Sequence, residues 1–121
     1  CESNCPVRKA RSTLDIGLPD RTGDDAYLDA LAAHLPPLAH QAKPDLILYQ
    51  AGVDPHVDDK LGRLALTDAG LADRDRFVGA LARSMGVPIA SVLGGGYGAD
   101  PAAVAARHAN VMRVLAATCL G

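Results

Sequence analysis

Two stretches, Asp45–Gly52 (DLILYQAG) and Val87–Gly95 (VPIASVLGG), are nearly continuous apolar runs that end in small residues and glycine. A short run without polar alternation is the pattern of a strand covered on both faces, and such strands belong to parallel sheets. A third β-like run, TLDIGL (Thr13–Leu18), precedes them. The segments between and after carry a different period. From Asp24 to His40, Tyr27, Leu28, Leu31, Leu35 and Leu38 recur at helical spacing, and Pro36-Pro37 is expected to break the last part. From Thr67 to Met85 the pattern continues through Leu71, Phe77, Val78 and Leu81, with Thr67 as N-cap and Gly86 as C-cap. A third helix is expected from Asp100 to Cys119, Asp100 capping it and Pro101 in the first helical position. Strand, helix, strand, helix, strand, helix predicts an α/β chain: a parallel sheet with helices packed on it.

The rest of the chain narrows the function. Its 121 residues suffice for one domain with a single core. Net charge is -2, and the one basic stretch is Arg8–Arg11, so nothing here attracts nucleic acid. No apolar run approaches the roughly 18–20 residues that span a bilayer, and CESNCPVRKAR lacks the apolar centre of a signal peptide. No membrane partner is therefore expected. Cys1, Cys5 and Cys119 are odd in number and read as reduced thiols of a cytoplasmic protein. Cys1 and Cys5 could form half a metal site, but no second Cys or His pair follows nearby. The first residue is Cys rather than Met, as expected of a piece of a longer protein.

In an open parallel sheet, ligands sit at the carboxyl ends of the strands. The loops leaving those ends are VDPHVDDKLGR after the second run and GGYGAD after the third, so both can face one site. Asp54 could bind a divalent metal through its carboxylate; alternatively it caps its own loop, as Asp does before Pro. His56 could be a second ligand, but the reading preferred here is a surface-loop histidine. Asp58 and Asp59 read as turn formers or solvated charges. The glycines of LGGGYGAD could cradle a phosphate at a helix N-terminus, although they lack G-x-G-x-x-G spacing and no Walker lysine follows. Otherwise they let backbone crowd a site into which Tyr97 projects a hydroxyl, able to donate to an oxyanion. His34, His40 and His108 fall on helical stretches and read as surface or packing residues. No serine sits in a G-x-S-x-G elbow, and no cysteine has an evident His partner.

Taken together, LDIGLPDRTGDDAYLDAL, PDLILYQAGVDPHVDDKLGRLALTDAGLADRD and GVPIASVLGGGY resemble the carboxy-terminal part of the histone deacetylase superfamily, closest to its bacterial and class IV-like members. The likeness runs from Asn4 to about Cys119, so residues 1–121 read as the carboxy-terminal part of one deacetylase-like domain. It implies a partial arginase/deacetylase-type fold. It also implies zinc-dependent hydrolysis of acetyl-lysine or a related amide, with an acetylated protein lysine, polyamine or small acetylated amine as substrate. Asp54 matches the family's last metal-binding aspartate and Tyr97 its catalytic tyrosine. Leu61 matches a residue lining the acyl channel, and Gly95 and Gly96 match glycines of the channel wall.

The resemblance also implies what this chain lacks. The family's Asp-x-His ligand pair and its His-His dyad lie ahead of the residues present here, and no two histidines of this chain are adjacent. The chain alone is therefore expected to be inactive, and poorly soluble because a sheet edge and an apolar helix face would be uncovered. A truncated, non-catalytic binding module is the alternative, and a phosphate-binding domain a more distant one. Arg21 stands where the family usually has Gly in D-G-T-G-D, which questions the turn there. Cys5 replaces the usual Phe of N-F-P.

Overall fold

The computed structural model describes residues 12–121; the basic stretch Arg8–Arg11, Cys1 and Cys5 lie outside the described residues. Five elements follow in order: α1 (Asp24–Ala42), β1 (Ile47–Gln50), α2 (Asp68–Met85), β2 (Ile89–Val92) and α3 (Pro101–Leu120). β1 and β2 pair in parallel, Ile47 opposite Ile89 and Tyr49 opposite Ser91. The crossover between them is α2, as a parallel pair requires.

Helix ends follow the local chemistry. Thr67 Oγ1 accepts from Gly70 N at 3.1 Å, and Gly86 closes α2 in the left-handed conformation at φ 67°. Asp100 Oδ1 accepts from Ala102 N at 2.9 Å and Pro101 opens α3. Asp24, the first residue of α1, reaches across to α2: its carboxylate accepts from Thr67 N at 2.8 Å and from Thr67 Oγ1 at 2.6 Å.

Three expectations are corrected. Thr13–Leu18 is not a strand. A period-two pattern supplies no ladder partner; instead Ile16 and Leu18 border a hollow with Tyr27, Leu31 and Leu64. α1 runs unbroken through Pro36 and Pro37 to Ala42. The carbonyls deprived of an N–H partner belong to Ala32 and Ala33, which are exposed, so water can satisfy them. Finally, among the described residues the strands are covered on one face only. Ile47, Tyr49, Ile89 and Ser91 are half-buried, whereas Leu48, Gln50, Ala90 and Val92 are exposed, Leu48 to 77%.

The core lies on the covered face, where Ala51, Val53, Leu66, Leu71, Val111 and Leu115 meet. Beneath it runs a buried polar network. Asp75 Oδ1 accepts from Tyr49 Oη at 2.6 Å and from Arg74 Nε at 3.0 Å, and Arg74 Nη1 donates to the Gly52 carbonyl at 2.7 Å. Burial, reinforced by the Asp75 carboxylate against the opposing pull of Arg74, pushes the Tyr49 hydroxyl far above its ordinary range. It therefore stays protonated and donates. The network pins the carboxyl end of β1 to α2.

Candidate functional site

β1 and β2 deliver two loops to the same rim, residues 51–66 and 93–100, and these loops are joined by main-chain bonds. Gly95 O accepts from Val53 N at 2.7 Å and from Asp54 N at 3.2 Å. An isolated antiparallel bridge joins Asp59 to Gly98. Asp54, Leu61, Gly95, Gly96 and Tyr97 are thus carried on two adjoining loops at the strands' carboxyl ends.

Glycine is what permits the approach. A Cβ at Gly95 would lie 2.7 Å from Asp54 Cγ, and one at Gly52 would lie 2.5 Å from Asp54 Oδ1. The Asp54 carboxylate therefore sits between two glycine backbones. None of the described residues donates it a hydrogen bond, which distinguishes it from a self-capping loop aspartate. Gly62 supports the other side: a Cβ there would fall 1.7 Å from the Asp54 carbonyl oxygen. Gly96 backs onto α3, where a Cβ would meet Val53, Val104 and His108 within 2.9 Å. The glycine loop thus serves close backbone approach, while the N-terminus of α3 already holds the Asp100 carboxylate.

Tyr97 and Leu61 project outward. Tyr97 is 50% exposed and Leu61 59%. The Tyr97 amide is held firmly, donating to Asp59 Oδ2 at 2.6 Å. The same carboxylate accepts from Leu61 N at 2.9 Å and Gly62 N at 2.7 Å through Oδ1. Asp59 is therefore more than a turn former, and its bond to Tyr97 spans 38 residues of sequence.

His56 departs further from expectation. It is 5% exposed, not a surface-loop residue. Its Nδ1 accepts from Asp58 N at 3.1 Å, and its Nε2 lies 3.4 Å from Asp68 Oδ1. Arg107 of α3 joins the two carboxylates, with Nε 2.7 Å from Asp68 and Nη2 3.2 Å from Asp58. Although Asp54-Pro55-His56 has Asp-x-His spacing, both ring nitrogens of His56 are engaged away from Asp54. Its buried role is to brace the loop against α2 and α3. No spacing rule signals this, because Arg107 and Asp68 arrive from distant elements. His34 and His40 are exposed as expected, and His108 is half-buried behind Gly96.

Arg21 adopts φ 64°, the left-handed region where glycine is ordinarily preferred. The turn is kept because its neighbours bind it: Arg21 N donates to Arg63 O at 2.7 Å and Ala65 N to Thr22 O at 2.9 Å. The glycine-to-arginine departure is thus absorbed by pairing to the loop that carries Leu61 and Gly62.

This architecture has close counterparts. An acetylpolyamine aminohydrolase from Burkholderia pseudomallei superposes at TM-score 0.72 with 21% identity, over 87% of this chain and 29% of that one. The HD domain of HDA15 superposes at 0.65 with 29% identity, over 80% of this chain and 27% of that one. Both place the chain in the arginase/deacetylase fold. In sequence, an uncharacterized protein of Picosynechococcus sp. is 49% identical over 113 residues, 93% of this chain and 38% of the relative. A "Probable deacetylase" of Archaeoglobus fulgidus is 35% identical over 91 residues, 74% of this chain and 25% of the relative. The chain thus spans well under half the length of these curated relatives. Residues 3–115 match the histone deacetylase domain. With that match over nearly the whole sequence, and a fold shared with deacetylase structures, the chain belongs to the histone deacetylase family.

Proposed function

We propose that this chain forms one wall of a zinc-dependent amidohydrolase site, completed by other parts of a longer protein, that removes acetyl groups from acetylated amines. The observation that carries the reading is the Asp54 carboxylate, set between Gly52 and Gly95 without a hydrogen-bond donor among the described residues, on the rim shared with Tyr97. Two acceptor oxygens held open in a glycine cradle suit a metal ligand. Among the described residues no group of three or more His, Cys, Asp or Glu could hold a metal ion, so Asp54 would be one ligand of several. Zinc held there would supply Lewis-acid polarisation of the amide carbonyl and a water of lowered pKa.

The residues of this chain have definable roles in that scheme. Asp54, just past the carboxyl end of β1, would be the residue of this chain that holds the metal. Tyr97, exposed on the adjoining loop, donates its hydroxyl to the carbonyl oxygen as negative charge builds there. Leu61, Gly95 and Gly96 form part of the wall along which the acyl-bearing chain enters. The name of the Burkholderia neighbour supports an acetylated polyamine as substrate class, that of the Archaeoglobus relative supports deacetylation in general, and the histone deacetylase domain match supports acetyl-lysine. The isolated chain, with one ligand and no histidine dyad, is inactive in this reading, and the full protein acts in the cytoplasm.

The test uses the full-length protein with acetyl-lysine peptide and acetylpolyamine substrates. Tyr97→Phe is expected to retain zinc and lose about two to three decades in kcat. Asp54→Asn is expected to lose zinc as well as activity. A Tyr97→Phe protein with undiminished kcat would overturn the reading.

A further inference from the structure

Tyr97 has a positional difficulty. Its hydroxyl finds no hydrogen-bond partner among the described residues, its ring is half exposed, and Gly94, Gly95, Gly96 and Gly98 surround it. Such a segment has little conformational preference of its own. An oxyanion donor must nonetheless be placed within a fraction of an ångström, and a misplacement of about 1 Å can cost about 100-fold in rate. Something outside the glycine loop must hold the tyrosine.

We propose that Asp59 is a positioning residue for Tyr97, a role that rests on the reading of Tyr97 given above. One carboxylate fixes three main-chain N–H groups: Oδ2 takes Tyr97 N at 2.6 Å, and Oδ1 takes Leu61 N at 2.9 Å and Gly62 N at 2.7 Å. Gly62 in turn lies against the Asp54 carbonyl, so the carboxylate also ties Tyr97 to the main chain that carries Asp54. Hydrogen bonds from N–H to an ionised carboxylate are roughly twice as strong as neutral ones. The bonds to Leu61 and Gly62 are local and would suit any turn-forming aspartate. The bond to Tyr97 crosses between loops, and a turn has no need of it. Gly95 O anchors one side of the glycine loop on Val53 and Asp54, and Asp59 anchors the other side at Tyr97 and Gly98. Between these two clamps the main chain that carries the tyrosine is fixed relative to that of Asp54.

The test is a double-mutant cycle in the full-length, zinc-loaded protein. Asp59→Asn places an amide N–H₂ against one of the three N–H groups, breaking the set without removing bulk. Expected are a fall in kcat of about 10- to 100-fold, a KM within about threefold, and unchanged zinc content. In the Tyr97→Phe background the same substitution should cost under about threefold, because the group it positions is already gone. A full Asp59→Asn loss in that background, a loss confined to KM, or a loss of zinc overturns the proposal, as does an unaffected kcat. A Tyr97→Phe protein with normal kcat overturns the reading of Tyr97 and this proposal with it; a large Tyr97→Phe loss that simply adds to the Asp59→Asn loss overturns this proposal alone. Should Asp59→Asn not fold, hydrogen exchange in the unaltered protein decides. The Tyr97 amide should exchange at least about tenfold slower than an unstructured peptide, and exchange at the peptide rate refutes the clamp.

Discussion

The carboxyl-end rim and the outer face of the sheet are built from the same two strands and are finished in opposite ways. At the rim the main chain is tied at many points: Gly95 O to Val53 N and Asp54 N, the Asp59 carboxylate to the amides of Tyr97, Leu61 and Gly62, His56 to the Asp58 amide, with Asp68 and Arg107 beside it. On the outer face Leu48 and Val92 stand exposed at 77% and 55%. An apolar strand pattern thus reports the cover a strand is suited to, not the cover that the described residues provide. The rim holds its geometry through bonds made within the chain, whereas the outer face is complete only if something covers it.

Four substitutions break or sharpen that contrast. The largest effect is expected beneath the rim. Asp75→Ala would leave the buried Arg74 charge without its carboxylate partner, with only the Gly52 carbonyl as acceptor, and the Tyr49 hydroxyl without its acceptor. Breaking a buried pair in this way costs about 3–5 kcal/mol, read from the urea midpoint. Gly62→Ala comes next. Its Cβ would fall 1.7 Å from the Asp54 carbonyl oxygen, so backbone must move. Overpacking of this kind costs about 1–3 kcal/mol, and under the function proposed above it should lower zinc occupancy of the full-length protein too. A Gly62→Ala protein as stable as wild type would show that the rim is looser than its bonds suggest.

Thr67→Ala removes the N-cap of α2 and the side-chain bond to Asp24, for about 1 kcal/mol by the same measurement. The smallest effect belongs to the outer face. Leu48→Lys should change the stability of the chain by no more than about 0.5 kcal/mol while raising its solubility. In the full-length protein the same change should lower Tm by several degrees if that face is covered there. An unchanged Tm would mean that the face is open in the complete molecule as well.

Much of the fold was legible because local chemistry settled it. Thr67, Gly86, Asp100 and Pro101 mark helix ends through bonds to residues within a few positions, and the structure uses them so. The loops that carry Asp54 and Tyr97 were legible too, since each apolar run ends in glycine. Thr13–Leu18 misled because β pattern is necessary for a strand but a ladder partner is also required. Pro36-Pro37 misled because the orphaned carbonyls are exposed to water. His56 misled because its surroundings, Asp68 and the Arg107 paired with it among them, are brought in from elsewhere in the chain.

From sequence alone came the order of the elements from α1 to α3, the caps of α2 and α3, the parallel pairing implied by the strand–helix–strand alternation, and the family. Each of these depends on residues near one another or on a motif order that survives without coordinates. It took the fold to show that Asp59 accepts from the Tyr97 amide, that His56 is buried, that Arg74 and Asp75 lock the end of β1, and that Leu48 and Val92 stand exposed on one sheet face. Contact and cover of this kind depend on groups far apart in sequence, and a pattern of neighbours along the chain carries no distance between them.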